Sequence, residues 1–169
     1  MQIKWKVLNR DTARSIIDII LDNRGLPSNH IEPFKLSDRL HSPYLLPDME
    51  KGVNRIIQAI EHDENIVIFG DYDVDGITAT ALMIHFFKKI NHPIHYLVPN
   101  REKDGYGLRM DGVDQVAALG GDLIITVDNG ITSSDAINYA REKRIDVVVT
   151  DHHLQEGDLP EAVAVINPN

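Results

Sequence analysis

Residues 65–76 read NIVIFGDYDVDG, and the reading of this stretch decides the fold. An apolar run, Ile66 to Phe69, stops at a glycine and gives way to carboxylates on alternating positions, Asp71, Asp73 and Asp75. A run this short, rich in β-branched residues and bounded by a turn residue, reads as a buried strand rather than a helix. An aspartate at a strand-to-helix turn often accepts the orphan amide hydrogens of the coming helix, and Asp75, just ahead of GITATAL, suits that role. Capping accounts for one carboxylate and leaves two. Like charges this close must take up protons or share a cation, and sharing a cation is the usual solution at a functional rim.

Outward from this stretch the chain alternates short apolar runs with helical segments. IHYLV, DLIITV, DVVVT and AVAVI follow NIVIF, and GITATALMIHFFKKI, GVDQVAALG and SSDAINYAREKR lie between them. This alternation predicts an α/β fold, a mostly parallel sheet flanked by helices, over residues 64–169. Residues 1–63 read as a helical N-terminal extension: TARSIIDIILDNRG and MEKGVNRIIQAIEHD have apolar residues at helical spacing, with the Pro-rich LPSNHIEPFKLSDRLHSPYLLPD between them.

In such sheets ligands bind beyond the carboxyl ends of the strands. The residues just after each run are GDYDVDG, PNREKDGYG, DNG, DHH and NPN, so Asp71, Asp73, Asp75, Asp128, Asp151, His152 and His153 should share one rim. Acidic and imidazole groups gathered from separate loops are the sequence form of a metal site. Arg101 and Lys103 join the same rim, with Gly105 and Gly107 allowing close backbone approach, and cations beside a metal site point to an anionic substrate such as a phosphate. The other six histidines, His30, His41, His62, His85, His92 and His95, have no such company.

Two other motifs fit less well. D-x-D-x-D-G imitates the start of a calcium-binding EF-hand, which needs a Glu at its twelfth position and a preceding helix; the twelfth residue from Asp71 is Leu82, and a strand precedes. A dehalogenase-type phosphatase begins D-x-D-x-T, yet the threonine position holds Ile77 counted from Asp73, or Asp75 counted from Asp71. No dinucleotide-binding or Walker-type glycine loop occurs.

Composition narrows the chemistry. The 169 residues, 43% hydrophobic and 25% charged, fit one globular domain. With no cysteine there is no disulfide, thiolate metal site or cysteine nucleophile, so a metal must be held by oxygen and imidazole, which favours harder cations. A net charge of −9 argues against a generic nucleic-acid-binding surface but not against a nucleic-acid substrate, because carboxylates around a cation inflate the formal charge. The longest uncharged apolar run, ITATALMIHFF, is well short of the roughly 18 residues of a membrane span, and the charged opening MQIKWKVLNR does not read as a signal peptide. The expectation is a soluble, cytoplasmic protein with no membrane partner.

VIFGDYDVDGITATAL, PNREKDGYGL, ITVDNGI and VVVTDHHL, in this order and spacing, resemble the DHH phosphoesterase superfamily, and within it the single-stranded-DNA-specific exonucleases. The resemblance covers about Pro43 to Asn169 and includes the closing AVAVINPN. It implies a two-metal site for Mn²⁺ or Mg²⁺ in which Asp73, Asp75, Asp128 and His152 are ligands and Asp128 bridges the cations. Asp71 and Asp151 would support the site, His153 would stand near the scissile phosphate, and Arg101 would be a substrate or supporting contact. Phe69 occupies a position where many members carry a metal-binding histidine, which implies a more weakly held first metal.

The implied activity is two-metal hydrolysis of phosphodiester bonds from the 5′ end of single-stranded DNA, in repair and recombination and beside proteins of those processes. The family places a further metal-binding aspartate, a second substrate-gripping domain and an OB-fold after the position of Asn169. The expectation is therefore an incomplete piece of such an enzyme, with weak metal binding and little processive activity of its own. Two alternatives stay open: a phosphoesterase of the same superfamily acting on short oligonucleotides, cyclic dinucleotides or pyrophosphate, and a non-catalytic metal- or nucleotide-binding module. Retention of every motif carboxylate and both histidines favours the enzyme.

Overall fold

The computed structural model describes residues 14–27, 41–100, 105–155 and 157–169. The chain divides into two compact units, Met1–His41 and Ser42–Asn169. In the first, helix α1 (Ile16–Asn23) begins at Ser15, whose hydroxyl accepts the Asp18 amide at 3.1 Å. This is the first of the two helices expected in the N-terminal region, and Leu21 is its buried residue.

The second unit opens with a single 3₁₀ turn (Pro43–Leu45) and helix α2 (Met49–Glu61). It continues through β1 (Ile66–Phe69), α3 (Val74–Lys89), β2 (Ile94–Leu97), α4 (Met110–Ala118), β3 (Leu123–Val127), α5 (Ser134–Glu142), β4 (Asp146–Thr150) and β5 (Ala164–Ile166). The strands form one sheet in the order β2-β1-β3-β4-β5, and all four neighbouring pairs are parallel. The α/β architecture expected from the alternation is the one found.

The apolar runs are continuous because the sheet is covered on both faces. Val67 and Phe69 of β1 join Ile124, Val147, Val149 and Val165 in a layer with Val113 and Val116 of α4 and Ile137 and Ala140 of α5. Ile66 and Ile68 point the other way, into a layer with Leu123, Ile125, Val148 and Ala164, closed by Ala59 of α2 and Phe87 of α3. Each fully buried aliphatic or aromatic side chain contributes about 1.5–3 kcal/mol by leaving water, so β1 alone anchors the centre of the sheet firmly.

The sequence assigned α2 to an extension ending at residue 63, whereas the compact units part between His41 and Ser42. Met49, Ile56 and Ile60 of α2 pack against the second apolar layer. Arg55 ties the helix down further, with Nε 2.6 Å from Asp146 Oδ2 and Nη2 2.6 Å from Glu64 Oε2. An amphipathic helix does not disclose in its own sequence which sheet it covers. No helix among the described residues is long and apolar enough to cross a membrane.

Candidate metal centre

Strand order reverses between β1 and β3, where the chain winds in opposite directions to β2 and to β4. The crevice beyond the carboxyl ends of strands at such a point is where ligands sit in open α/β sheets. The register brings the ends of β1, β3 and β4 level: Phe69 lies opposite Thr126, and Val127 opposite Thr150.

From the end of β1 the chain turns at once into α3, and Asp73 is the N-cap. Its Oδ1 accepts the amides of Asp75 and Gly76, both at 3.0 Å. The Gly76 hydrogen bond is the foremost cause holding the Asp73 carboxyl below its ordinary value. Gly76 is glycine for want of room: a Cβ there would lie 2.6 Å from the backbone N and O of Asp71. The helix start is thereby pressed against the Asp71 backbone, and Asp71 itself is buried.

Asp128 follows β3 in a left-handed conformation (φ 64°), with its amide bonded to Thr150 O at 3.0 Å. A non-glycine residue is held there only when its surroundings over-determine it. The neighbouring Asn129, fully buried, supplies that constraint by donating from Nδ2 to Phe69 O at 3.1 Å and to Val127 O at 3.0 Å. One side chain thus clamps the ends of β1 and β3.

Asp151 follows β4 and is a scaffold residue. Its Oδ2 accepts the Ile131 amide at 2.9 Å; its Oδ1 accepts the amides of His152 at 2.7 Å and His153 at 3.1 Å, and His153 Nδ1 at 2.7 Å. Burial pushes this carboxyl up, but the hydrogen bonds from Ile131, His153 and His152 outweigh it and hold the group below its ordinary value. The same Asp151 bond raises the His153 imidazole. From the other side, Asn167 at the end of β5 donates to His153 O at 3.0 Å, and Asn169 donates to His152 O.

The result among the described residues is two groups of ligand atoms, each within 4.8 Å of one another: Asp71, Asp73 and Asp128, and Asp128, His152 and His153. Asp128 belongs to both. His152 Nε2 lies 2.9 Å from Asp128 Oδ1, while Asp128 Oδ2 is buried and accepts no hydrogen bond. Burial, and then the charge of Asp73, push the Asp128 carboxyl up. No lysine or arginine among the described residues pairs with Asp73 or Asp128. An orphaned buried carboxylate oxygen facing further carboxylates and imidazoles fits a divalent cation of the Mn²⁺ or Mg²⁺ kind.

Asp75 stands apart from both groups. Because α3 begins at Val74, Asp75 is already on the helix, exposed, and faces the same recess of about 500 Å³ as Asp128, Asp151 and His152. Phe69 is buried in the layer under α4 and offers no ligand atom. Arg101 and Lys103 lie outside the described residues. Two participants were not singled out in the sequence: Asn129, which passes for a turn residue, and Tyr106, whose hydroxyl is 3.1 Å from His153 Nδ1. The GYG around Tyr106 was the available signal, because two glycines in left-handed conformation (φ 76° and 71°) turn that one side chain toward the rim.

Residues 65–169 match the family described as "DHH family, N-terminal domain". The chain belongs to the DHH family. Among DHH proteins of curated function, the single-stranded-DNA-specific exonuclease RecJ of Escherichia coli (strain K12) is 47% identical over 125 residues, covering 73% of this chain and 22% of that protein. RecJ of Haemophilus influenzae is 40% identical over 162 residues, covering 93% of this chain and 28% of that protein. This DHH chain thus spans about a quarter of the length of these relatives. A crystal structure of exonuclease RecJ bound to manganese superposes with TM-score 0.69 at 29% identity, covering 76% of this chain and 33% of that one. A crystal structure of RecJ from Thermus thermophilus in complex with Mn²⁺ gives 0.64 at 25% identity, covering 90% and 21%.

Proposed function

We propose that this DHH domain is the metal-dependent phosphodiesterase of a RecJ-type exonuclease, removing nucleotides from the 5′ end of single-stranded DNA in the cytoplasm, alongside repair and recombination proteins. The observation that carries the reading is the sharing of Asp128 by two three-residue groups at the switch point of the sheet. The relatives' names and the manganese in the RecJ structures support the substrate and the metal.

In this reading Asp73, Asp128 and His152, with Asp75 from the recess it shares with Asp128 and His152, would hold two Mn²⁺ or Mg²⁺ ions, and Asp71 supports the site. Divalent cations bound in pairs supply Lewis acidity for in-line displacement at phosphorus. The protein does the rest. Asp151 fixes the loop that carries both histidines, and its hydrogen bond to His153 Nδ1 leaves Nε2 as that ring's free nitrogen toward the phosphate. The Asp73 cap sets one wall of the centre, and Asn129 sets its distance from the other. Arg101 and Lys103 take the anionic DNA strand, which the acidic remainder of the surface would repel.

The test is Mn²⁺ titration by calorimetry on the wild type and Asp128→Ala, with a 5′-labelled single-stranded oligonucleotide assay alongside. Mn²⁺ should bind the wild type and be lost in the variant, and cleavage should need Mn²⁺ and begin at the 5′ end. Equal titrations of the two proteins would refute the centre; Mn²⁺-dependent cleavage from the 3′ end would refute the 5′ polarity, and cleavage only at internal positions would refute the exonuclease assignment.

A further inference from the structure

The recess that Asp75, Asp128 and His152 share is only partly lined by them. Much of its remaining wall is apolar and comes from four separate elements: Leu46 just after the 3₁₀ turn, Met49 at the start of α2, Ala79 on α3, and Ile166 and Pro168 where β5 ends. Thr150 and Asp151 line it as well, but their polar atoms are turned to neighbouring backbone: the Thr150 hydroxyl donates to Thr126 O at 2.6 Å, and Asp151 Oδ2 accepts the Ile131 amide at 2.9 Å.

The apolar wall is held in place. Asp48, left-handed (φ 52°) just ahead of α2, accepts the Val165 amide at Oδ2, 3.1 Å away, which ties the start of α2 to β5. Leu46, Met49 and Ala79 pack against the apolar layer that contains Ile166.

Size and chemistry select the occupant. The volume of about 500 Å³ falls within the roughly 300–1,000 Å³ of small-molecule sites. A ligand that uses the whole recess carries negative charge where the carboxylates and imidazole would hold cations, and a compact apolar body against the rest. A nucleotide, with phosphate and base joined through a sugar, is built in this way. A peptide would instead set its backbone amides and carbonyls against side chains that offer them no partner. A wall without donors or acceptors cannot read a base edge, yet every base has a face to lay on it.

We infer that this recess is a nucleobase subsite: the base of the nucleotide whose phosphate the cations hold lies against Leu46, Met49, Ala79, Ile166 and Pro168, whatever its identity. The phosphate end rests on the phosphodiesterase reading above, and the base end rests on the wall.

Calorimetry on the Mn²⁺-saturated wild type, Met49→Ala and Ala79→Leu compares thymidine 5′-monophosphate, 2′-deoxyadenosine 5′-monophosphate and 2-deoxyribose 5-phosphate, which lacks the base. Met49→Ala thins the wall and Ala79→Leu fills the recess; neither residue is a proposed metal ligand, so both variants should bind Mn²⁺ like wild type. The wild type should bind the two nucleotides alike and roughly 10- to 100-fold more tightly than the sugar phosphate, the factor for burying an apolar body of side-chain size. Each variant should lose most of that factor and keep its affinity for the sugar phosphate. Equal wild-type affinity for nucleotides and sugar phosphate overturns the inference, as do a factor confined to one base, a factor that both variants keep, no binding of any of the three ligands, or loss of Mn²⁺ in both variants; if one variant alone loses Mn²⁺, the other decides. The expected pattern in a protein that leaves single-stranded DNA intact sustains the inference and sinks the exonuclease reading alone. Degradation of single-stranded DNA from the 5′ end by a protein indifferent to the base does the reverse. A wild type that binds no Mn²⁺ overturns both.

Discussion

Replacing Gly76 by alanine tests whether the start of α3 is pressed against Asp71 as closely as the structure shows. A Cβ at Gly76 would meet Asp71 N and O at 2.6 Å, against the 3.4 Å at which ordinary contact begins, a shortfall of about 0.8 Å. The atoms in the way are backbone and cannot rotate aside, so the helix start must lift or the Asp71 turn must move. Overpacking of this kind costs about 1–3 kcal/mol, offset by roughly 0.5–1 kcal/mol because alanine is the better helix residue. A net loss near 1–2 kcal/mol lowers the melting temperature by roughly 2–8 °C for a chain of this size. The larger effect falls on the metal. Lifting the helix start pulls the Gly76 amide from Asp73 Oδ1, now 3.0 Å away, and frees a proposed ligand to rotate. Loss of such a supporting hydrogen bond typically costs 10- to 100-fold in metal affinity. Gly52→Ala is the control: its Cβ would meet the tip of Ile166, Cδ1, at 2.8 Å, a side-chain end that can swing away, so Mn²⁺ affinity should stay within about twofold of wild type. Differential scanning calorimetry and Mn²⁺ titration on both variants decide the matter. A Gly76→Ala protein with wild-type melting and wild-type Mn²⁺ affinity would refute the argument that this close approach sets the centre.

Asn129→Ala removes the donor to Phe69 O and Val127 O from a fully buried position, so denaturant unfolding should show a loss of about 1–3 kcal/mol, with weaker Mn²⁺ binding because Asp128 loses its constraint. An Asn129→Ala protein that unfolds like wild type would disprove the clamp. At the surface, Lys143 first, and then Tyr139, hold Asp114 below its ordinary value by hydrogen bonding. A carboxyl depressed on folding stabilises above its unfolded pKa, and that contribution disappears as pH falls through the folded value. The melting-temperature gap between wild type and Asp114→Asn should therefore be present at neutral pH and close in acid; a gap that widens in acid would contradict the sign.

The sheet was legible because β1, β3, β4 and β5 are buried on both faces and so write themselves as apolar runs; even the edge strand β2, half exposed, kept enough of one in IHYL. The rim was legible because parallel strands all deliver their following residues to the same end. Three things were not. The alternation of Asp71, Asp73 and Asp75 suggests one shared side, but the helix begins at Val74, and a turn of about 100° per residue carries Asp75 away from the others. Asn129 and Tyr106 act through partners 60 and 47 positions distant, which local spacing does not reveal. The place of α2 depends on the far end of the chain, where Asp146, Val148 and Ala164 receive it.

Chemically identical aspartates nonetheless divide into two kinds once their lone pairs are counted. Asp151 accepts four hydrogen bonds from amides and an imidazole, three at Oδ1 and one at Oδ2, so both of its oxygens are already engaged in holding the loops together. Asp73 commits Oδ1 to two amides at the start of α3 and keeps Oδ2. Asp128 has His152 beside Oδ1 and no hydrogen bond at all on a buried Oδ2. An unsatisfied buried carboxylate oxygen costs free energy that folding alone has no reason to tolerate, and a divalent cation between Asp128 and its neighbours removes that cost. Saturation marks the scaffold and deficit marks the ligand, so Asp128, the residue common to both groups, is where loss of a single carboxylate should cost the metal most.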